Sequence, residues 1–114
     1  MTIKRLQSNA RMSQVVIHGN TVYTAGQVAE GDSVTAQTEK ILAQIDGLLA
    51  DAGSDKSKLI SATIWLTSMD DFAEMNAVWD QWVSPGNAPC RACVESKLAQ
   101  AKFNVEIMVI AALE

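Results

Sequence analysis

The chain has 114 residues and a formal net charge of −4 at pH 7, from 9 basic and 13 acidic side chains. This length predicts one domain, residues 1–114, whose core is large enough to fold without disulfides or a metal. The acidic balance and the lack of a basic cluster argue against a nucleic-acid-binding protein, and no apolar run reaches the roughly 18 residues of a membrane span.

The N-terminus and the two cysteines bear on the compartment. No apolar segment follows Lys4 and Arg5, so we expect no secretory signal. Cysteines in an unsecreted chain are expected to be reduced. We therefore expect a cytoplasmic protein.

The first part of the chain predicts a β-hairpin. Two β-branched or aromatic runs, 14–18 and 21–25, flank Gly19-Asn20, a pair that suits a tight turn with two positive φ angles. Gly26 follows directly, and a glycine at a strand end often marks a close approach of the backbone to another group. Residues 1–12 are polar without clear periodicity and leave room for one short strand.

A long amphipathic helix is predicted over residues 34–52, with Asp32 or Ser33 as its N-cap and Gly53 after its last turn. Its apolar stripe recurs at helical spacing. The stripe consists of Val34, Thr38, Ile41, Leu42, Ile45, Leu48 and Leu49.

The second half predicts a strand at 59–67, a second helix that ends at Pro85-Gly86, and strands at about 90–97 and 104–112. We expect Ser68 to cap the helix and Asp71 to act as the acid of a capping box. The alternation of the first strand places Ile60, Ala62, Ile64 and Leu66 on one face. The apolar stripe of the helix consists of Phe72, Met75, Trp79 and Trp82, which we assign to the core.

The resulting order, β-β-α-β-α-β-β plus the possible N-terminal strand, predicts an α+β domain with both helices on one face of a mixed sheet. The other face should then alternate with polar residues if it met water, yet Met108, Ile110 and Trp65 lie on it. We therefore expect a second copy of the chain to cover this face, in a homo-oligomer. The alternative is a mildly apolar face that stays exposed.

Cys90 and Cys93 form a CxxC pair inside a predicted strand. At about 3.3 Å per residue their Cα atoms are roughly 10 Å apart, beyond the ~7 Å limit for a disulfide. The thiols should also point to opposite faces. Zinc would need two more ligands, and the only histidine is His18, which we place at the end of another strand. We therefore expect no metal, no redox role and no other cofactor.

Two apolar strands each carry a charge, Arg91 in one and Glu106 in the other. A buried charge without a partner costs several kcal/mol. One reading is structural: Arg91 pairs with Glu95 or Glu106, Cys93 is a small buried side chain, and Glu106 is a carboxylate at the sheet rim. The other is a site for a small carboxylate, which Arg grips with two parallel hydrogen bonds.

These residues resemble the RidA/YjgF family of imine and enamine deaminases over nearly the whole chain, and the YoaB-like branch most of all. The similar segments are Tyr23-Thr24-Ala25-Gly26-Gln27, Asp71-Phe72 to Met75-Asn76, Pro89 to Glu95 with its Arg91-x-Cys93 core, and Val105-Glu106-Ile107. The branch is indicated by Asn9-Ala10-Arg11-Met12-Ser13 and by Trp79 to Trp82.

The resemblance implies a chorismate-mutase-like fold and a homotrimer with a site between subunits. It implies that Arg91 holds the carboxylate of a 2-imino acid, that Glu106 positions or activates water, and that the backbone at Cys93 and Gly26 binds the imine. Met12 and Ala25 also fall in this pocket, where family deaminases carry Tyr and Ser hydroxyls. Two hypotheses follow: a deaminase acting on a small carboxylate substrate, and a trimeric module that binds small carboxylates without turnover.

Overall fold

Six strands form one mixed sheet, and two helices pack on one of its faces, in the computed structural model, which describes residues 2–114. The strands are β1 (Ile3–Ser8), β2 (Ser13–His18), β3 (Thr21–Thr24), β4 (Leu59–Leu66), β5 (Cys90–Glu95) and β6 (Val105–Ala112). The helices are α1 (Val34–Ala52) and α2 (Phe72–Trp82). The predicted α+β architecture is confirmed, and β1 is the N-terminal strand that the sequence left open.

The strand order is β1-β2-β3-β6-β4-β5, so β1 and β5 are the two edges of the sheet. Neighbouring strands are antiparallel except β4 and β5, which are parallel and joined through α2. A parallel pair needs such a crossover, whereas a hairpin suffices for an antiparallel pair. The crossover therefore places β5, with Arg91, at the edge of the sheet and beneath α2.

The β2–β3 hairpin turns at Gly19-Asn20 as predicted, but only Gly19 has a positive φ, 61°. The expectation of a second positive φ at Asn20 is wrong. A type II′ turn needs a positive φ only at its first central residue, and glycine supplies it there.

Only α1 begins at a side-chain cap. For α1, Ser33 Oγ accepts the N–H of Ala36 at 3.0 Å, and Gly53 ends the helix with φ 87°. For α2, Ser68 caps a 3-10 turn over 69–71 instead, and Asp71 makes no side-chain capping bond, so the predicted capping box is wrong. No helix within residues 2–114 combines the length and the apolar character needed to cross a membrane.

The core lies between the sheet and the helices. Its fully buried members include Val15, Val22, Ile41, Ile45, Leu49, Ile64, Leu66, Met75, Val105 and Ile107. Ile60 does not share the buried face of Ala62, Ile64 and Leu66, contrary to the predicted alternation: it is 47% exposed, and Leu59 is buried instead. The pairing of β4 with β6 shifts between Leu59 and Ser61, and such a bulge turns the preceding side chains to the other face.

The second face of the sheet is apolar, as the alternation predicts, and no element within residues 2–114 covers it. We refer to it as the open face. Register places Val16 and Tyr23 together on it, and Trp65 beside Val94. Tyr23 is 42% exposed and Val94 48% exposed. A sheet face that meets water normally carries polar residues at these positions.

Candidate functional site

Glu106 lies on the open face, where it pairs with Trp65 of β4. The segment after β3 runs beside it, because Gln27 and Ile107 exchange two backbone hydrogen bonds of 2.8 and 3.1 Å. A Cβ atom on Gly26 would lie only 2.0 Å from Oε2 of Glu106. The carboxylate therefore fills the space that a side chain at position 26 would need, which is the close approach predicted for Gly26.

This contact makes Gly26→Ala a test of how Glu106 is placed. Gly26 is not in the left-handed region, so alanine leaves the backbone unstrained. The methyl group would instead displace the end of a flexible side chain. We expect the free energy of unfolding to change by less than about 1 kcal/mol, while the crystal structure shows the Glu106 carboxylate shifted away from residue 26.

The matched control is Gly47→Ala in α1, where an added Cβ meets nothing within 4 Å. It should raise the free energy of unfolding by about 0.5–1 kcal/mol, because alanine favours a helix interior over glycine. A Gly26→Ala structure with the carboxylate unmoved would contradict the steric argument.

Arg91 lies on the opposite face of the sheet, beneath α2. It pairs with Ala62 of β4, and its side chain is half-buried. The guanidinium carbon Cζ lies 5.3 Å from the ring centre of Trp79 and 5.8 Å from that of Phe72. Both distances are within the range of cation–π attraction. The two rings therefore hold the guanidinium at the β5 edge of the sheet.

Arg91 forms an ion pair neither with Glu95 nor with Glu106. Among residues 2–114, the single side-chain ion pair within 4 Å joins Lys102 and Glu30. Glu95 instead accepts the backbone N–H of Met69 at 3.0 Å. The guanidinium is thus half-buried and held by two rings, with no carboxylate beside it in the described chain.

Arg91 and Glu106 do not meet within one chain. Arg91 pairs with Ala62, whereas Glu106 pairs with Trp65, three residues further along β4. An odd separation along a strand places the two side chains on opposite faces. In addition, β4 lies between β5 and β6, so these two strands are about 10 Å apart at the usual strand spacing. A site that uses both groups therefore needs more than one copy of the chain.

The two thiols point to opposite faces, as predicted, and both are free. Cys93 pairs with Ile64 on the helix side, and burial raises the pKa of its thiol, although the nearby Arg91 charge partly offsets this. The Cys93 side chain is therefore a neutral thiol near pH 7, not a thiolate nucleophile. On the other face, the Cys90 thiol donates to the carbonyl of Ile60 at 3.2 Å.

Ala25 directly precedes Gly26, and Met12 lies two residues before Gln14, to which Ala25 bonds. The N–H of Ala25 donates to the carbonyl of Gln14 at 2.8 Å. Met12 lies in the β1–β2 turn, where Asn9 Oδ1 accepts its N–H at 2.9 Å, and its side chain is 41% exposed. The structure thus gathers Ala25, Gly26 and Glu106 in one place, and it leaves Arg91 with Cys93 in another.

Three open clefts lie elsewhere on the surface, with volumes of about 280, 420 and 300 Å³, and none of the three is lined by Arg91 or Glu106. Within residues 2–114 no three His, Cys, Asp or Glu side chains cluster as a metal site would require. His18 is exposed at the end of β2, as predicted.

Sequence reasoning missed the part that Phe72 plays. It assigned the aromatic residues of α2 to the core, which holds for Trp79 but not for Phe72, which is 36% exposed beside Arg91. The two aromatic residues are seven positions apart, so they lie on the same face of the helix. The sequence therefore shows that Phe72 and Trp79 share a face of α2, but it does not show that β5, with Arg91, lies beneath that face.

The fold and these residues place the chain in a known class of small α+β proteins. A model of the family described as Endoribonuclease L-PSP matches residues 2–113. The chain therefore belongs to this family, which is also called YjgF/RidA.

Curated relatives are similar in sequence to this chain over nearly its full length. The RutC family protein YoaB of Escherichia coli is 46% identical, with 99% of this chain and 100% of that protein covered. A RutC family protein of Haemophilus influenzae is also 46% identical, over 97% of this chain and 98% of that protein. The resemblance to the YoaB-like branch is thereby confirmed.

Solved structures confirm the fold. A YjgF family member from Neisseria meningitidis has a TM-score of 0.98 and 43% sequence identity, and covers 100% of this chain and 97% of that one. An uncharacterized protein from Pseudomonas aeruginosa has a TM-score of 0.95 and 42% identity, with coverage of 99% and 100%.

Proposed function

We propose that this protein hydrolyses reactive 2-imino and enamino acids to 2-oxo acids and ammonia, at a site formed between copies of a homotrimer. The observation that carries the proposal is the state of Arg91. A half-buried guanidinium held by two rings, with no carboxylate partner in the described chain, is suited to bind a carboxylate from outside. A small 2-imino acid supplies that group.

The open face and the β5 edge support assembly. A contiguous apolar face of this kind is typical of an interface. In a closed ring of three copies, the β5 edge of one copy can approach the Gly26 segment of the next. Each site would then combine Arg91 and Cys93 of one copy with Ala25, Gly26 and Glu106 of another, which are the groups that one chain keeps apart.

The proposed chemistry needs no cofactor. The imine carbon is electrophilic, and water that is hydrogen-bonded to Glu106 adds to it and gives a carbinolamine. Glu106 accepts the proton from the attacking water and returns it to nitrogen. Glu106 then takes the hydroxyl proton of the carbinolamine and delivers it to the amino nitrogen, so that the C=O bond forms as the C–N bond breaks. Ammonia leaves, and the 2-oxo acid remains bound to Arg91. Positioning of the substrate together with one acid–base group of this kind typically accelerates a reaction by about 10²–10⁴-fold.

Met12 and Ala25 lack the hydroxyls that family deaminases carry at these positions, so main-chain groups bind the substrate in their place. The carboxylate of Glu106 lies directly against the Gly26 backbone, which has no side chain to cover it. Backbone groups at Gly26 and Cys93 are thus the proposed partners of the imine end. The neutral Cys93 thiol contributes a small surface beside Arg91 and is not a nucleophile.

The alternative is a trimeric module that binds small carboxylates without turnover, which would use the same Arg91. The endoribonuclease activity in the family description finds less support here. Non-specific RNA binding relies on clustered positive charge, whereas this chain has a net charge of −4. With two free thiols the cytoplasm is the proposed compartment.

An assay in which an amino-acid oxidase generates the 2-imino acid in place tests the function. We expect added protein to accelerate ammonia release, and we expect its mass in solution to be three times the 12.3 kDa of one chain. Binding of a 2-oxo acid without faster ammonia release would favour the binding module. A monomer in solution would contradict the shared site.

A further inference from the structure

Gln27 has the most heavily bonded side chain near the proposed site. It is buried, with 8% of its surface exposed. Its Nε2 donates to Gln14 Oε1 at 2.8 Å and to the carbonyl of Ala25 at 3.1 Å. Its Oε1 accepts from Gln44 Nε2 at 3.1 Å. One amide thus joins β2, the Ala25 backbone and α1.

The backbone of the same residue is fixed from the other side. Gln27 N–H donates to the Ile107 carbonyl at 2.8 Å, and the Ile107 N–H donates back at 3.1 Å. Ile107 follows Glu106, and Gly26 precedes Gln27. The residue therefore stands between the helix layer and the strand that carries Glu106.

This segment borders open space on the helix side. A cleft of about 420 Å³ opens there, and Gln14, Gln27 and Gln44 are among its lining residues. A buried amide whose donors and acceptor are all used fixes direction, because each hydrogen bond weakens steeply when its angle changes. The position of the Gly26 backbone thus depends on the amide bonds of Gln27.

We propose that Gln27 is a positioning residue that holds the Ala25–Gly26 main chain beneath Glu106 and thereby sets the direction of its carboxylate. Gln27 itself touches no substrate. The inference deepens the proposed function and rests on it for its catalytic consequence, whereas its structural consequence can be measured without turnover.

Gln27→Met tests it, because methionine matches glutamine in length and makes none of the three amide bonds. We expect kcat to fall about tenfold, the equivalent of one net hydrogen bond, while KM changes by less than twofold because Arg91 is untouched. We also expect the ¹³C signal of the Glu106 carboxyl and the amide signal of Gly26 to move in NMR spectra.

The matched control is Gln37→Met. Gln37 is another buried glutamine amide, and it bonds to Gly31, Lys102 and Asn104 instead. It should lower the melting temperature at least as much as Gln27→Met, with kcat and the Glu106 signal retained. Equal losses of kcat in both variants would show a structural effect only and would overturn the inference.

The readouts separate this inference from the proposed function. An unmoved Glu106 carboxyl signal in Gln27→Met overturns the inference, whether or not the wild type releases ammonia. Moved signals with unchanged kcat in an active enzyme also overturn it. A wild type without ammonia release but with moved signals overturns the proposed function alone and leaves the positioning of Glu106 by Gln27 established.

Discussion

Glu106→Gln is expected to lower the rate of ammonia release from 2-imino acids by about 10²–10⁴-fold, the usual contribution of a general acid–base group. Glutamine keeps the size of the side chain and its place against Gly26, but it cannot accept the proton of the attacking water. Single-turnover and steady-state measurements of ammonia release would show the loss in kcat. The dissociation constant of a 2-oxo acid should change little.

Glu39→Gln is the matched control, because Glu39 is an exposed carboxylate on α1, away from the open face. It should release ammonia at the wild-type rate. Undiminished release by Glu106→Gln would remove Glu106 from the mechanism. Loss of 2-oxo acid binding in that variant would instead point to a role in binding.

Arg91→Lys is expected to raise KM for 2-imino acids, and the dissociation constant of 2-oxo acids, by about 10–100-fold, the equivalent of one hydrogen bond to a charged group. Lysine keeps the positive charge but loses the planar fork that binds both carboxylate oxygens and that lies over the rings of Phe72 and Trp79. The value of kcat should change less than KM, because the bond is present before and during the reaction.

Lys56→Arg makes the converse change at another cation that lies over a ring of α2, 5.4 Å from the ring centre of Trp82, and should leave both constants as in the wild type. Isothermal titration with a 2-oxo acid measures affinity independently of turnover. Equal affinities for Arg91→Lys and the wild type would exclude the guanidinium as the carboxylate clamp, both for the enzyme and for the binding module.

Local signals made most of the fold predictable. The bounds of α1 followed from its apolar stripe, with Ser33, one of the two expected caps, as the cap and Gly53 as the end. Each of these is decided by residues within a few positions along the chain. The prediction at Ile60 failed because the bulge there depends on pairing with β6, about 50 residues later, which no local pattern records.

The candidate site was predictable only in part, for a related reason. Alternation within β5 correctly placed the Cys90 and Cys93 thiols on opposite faces. Alternation within a single strand could not show whether Glu106 of β6 lies on the same face of the sheet as Arg91. That depends on the register between strands, which is set by turns and by tertiary packing. The separation of Arg91 from Glu106 by the sheet therefore became visible only in the structure.

The strand that carries Arg91 is hydrogen-bonded along one side only, since β5 is an edge of the sheet. Under the proposed trimer, the other side and the open face meet a neighbour, so this strand gains much of its support from association. Subunits that bind each other stabilise the folded state by mass action. Dilution would then weaken the fold and dismantle the site at the same time, which links the working concentration of the protein to its activity.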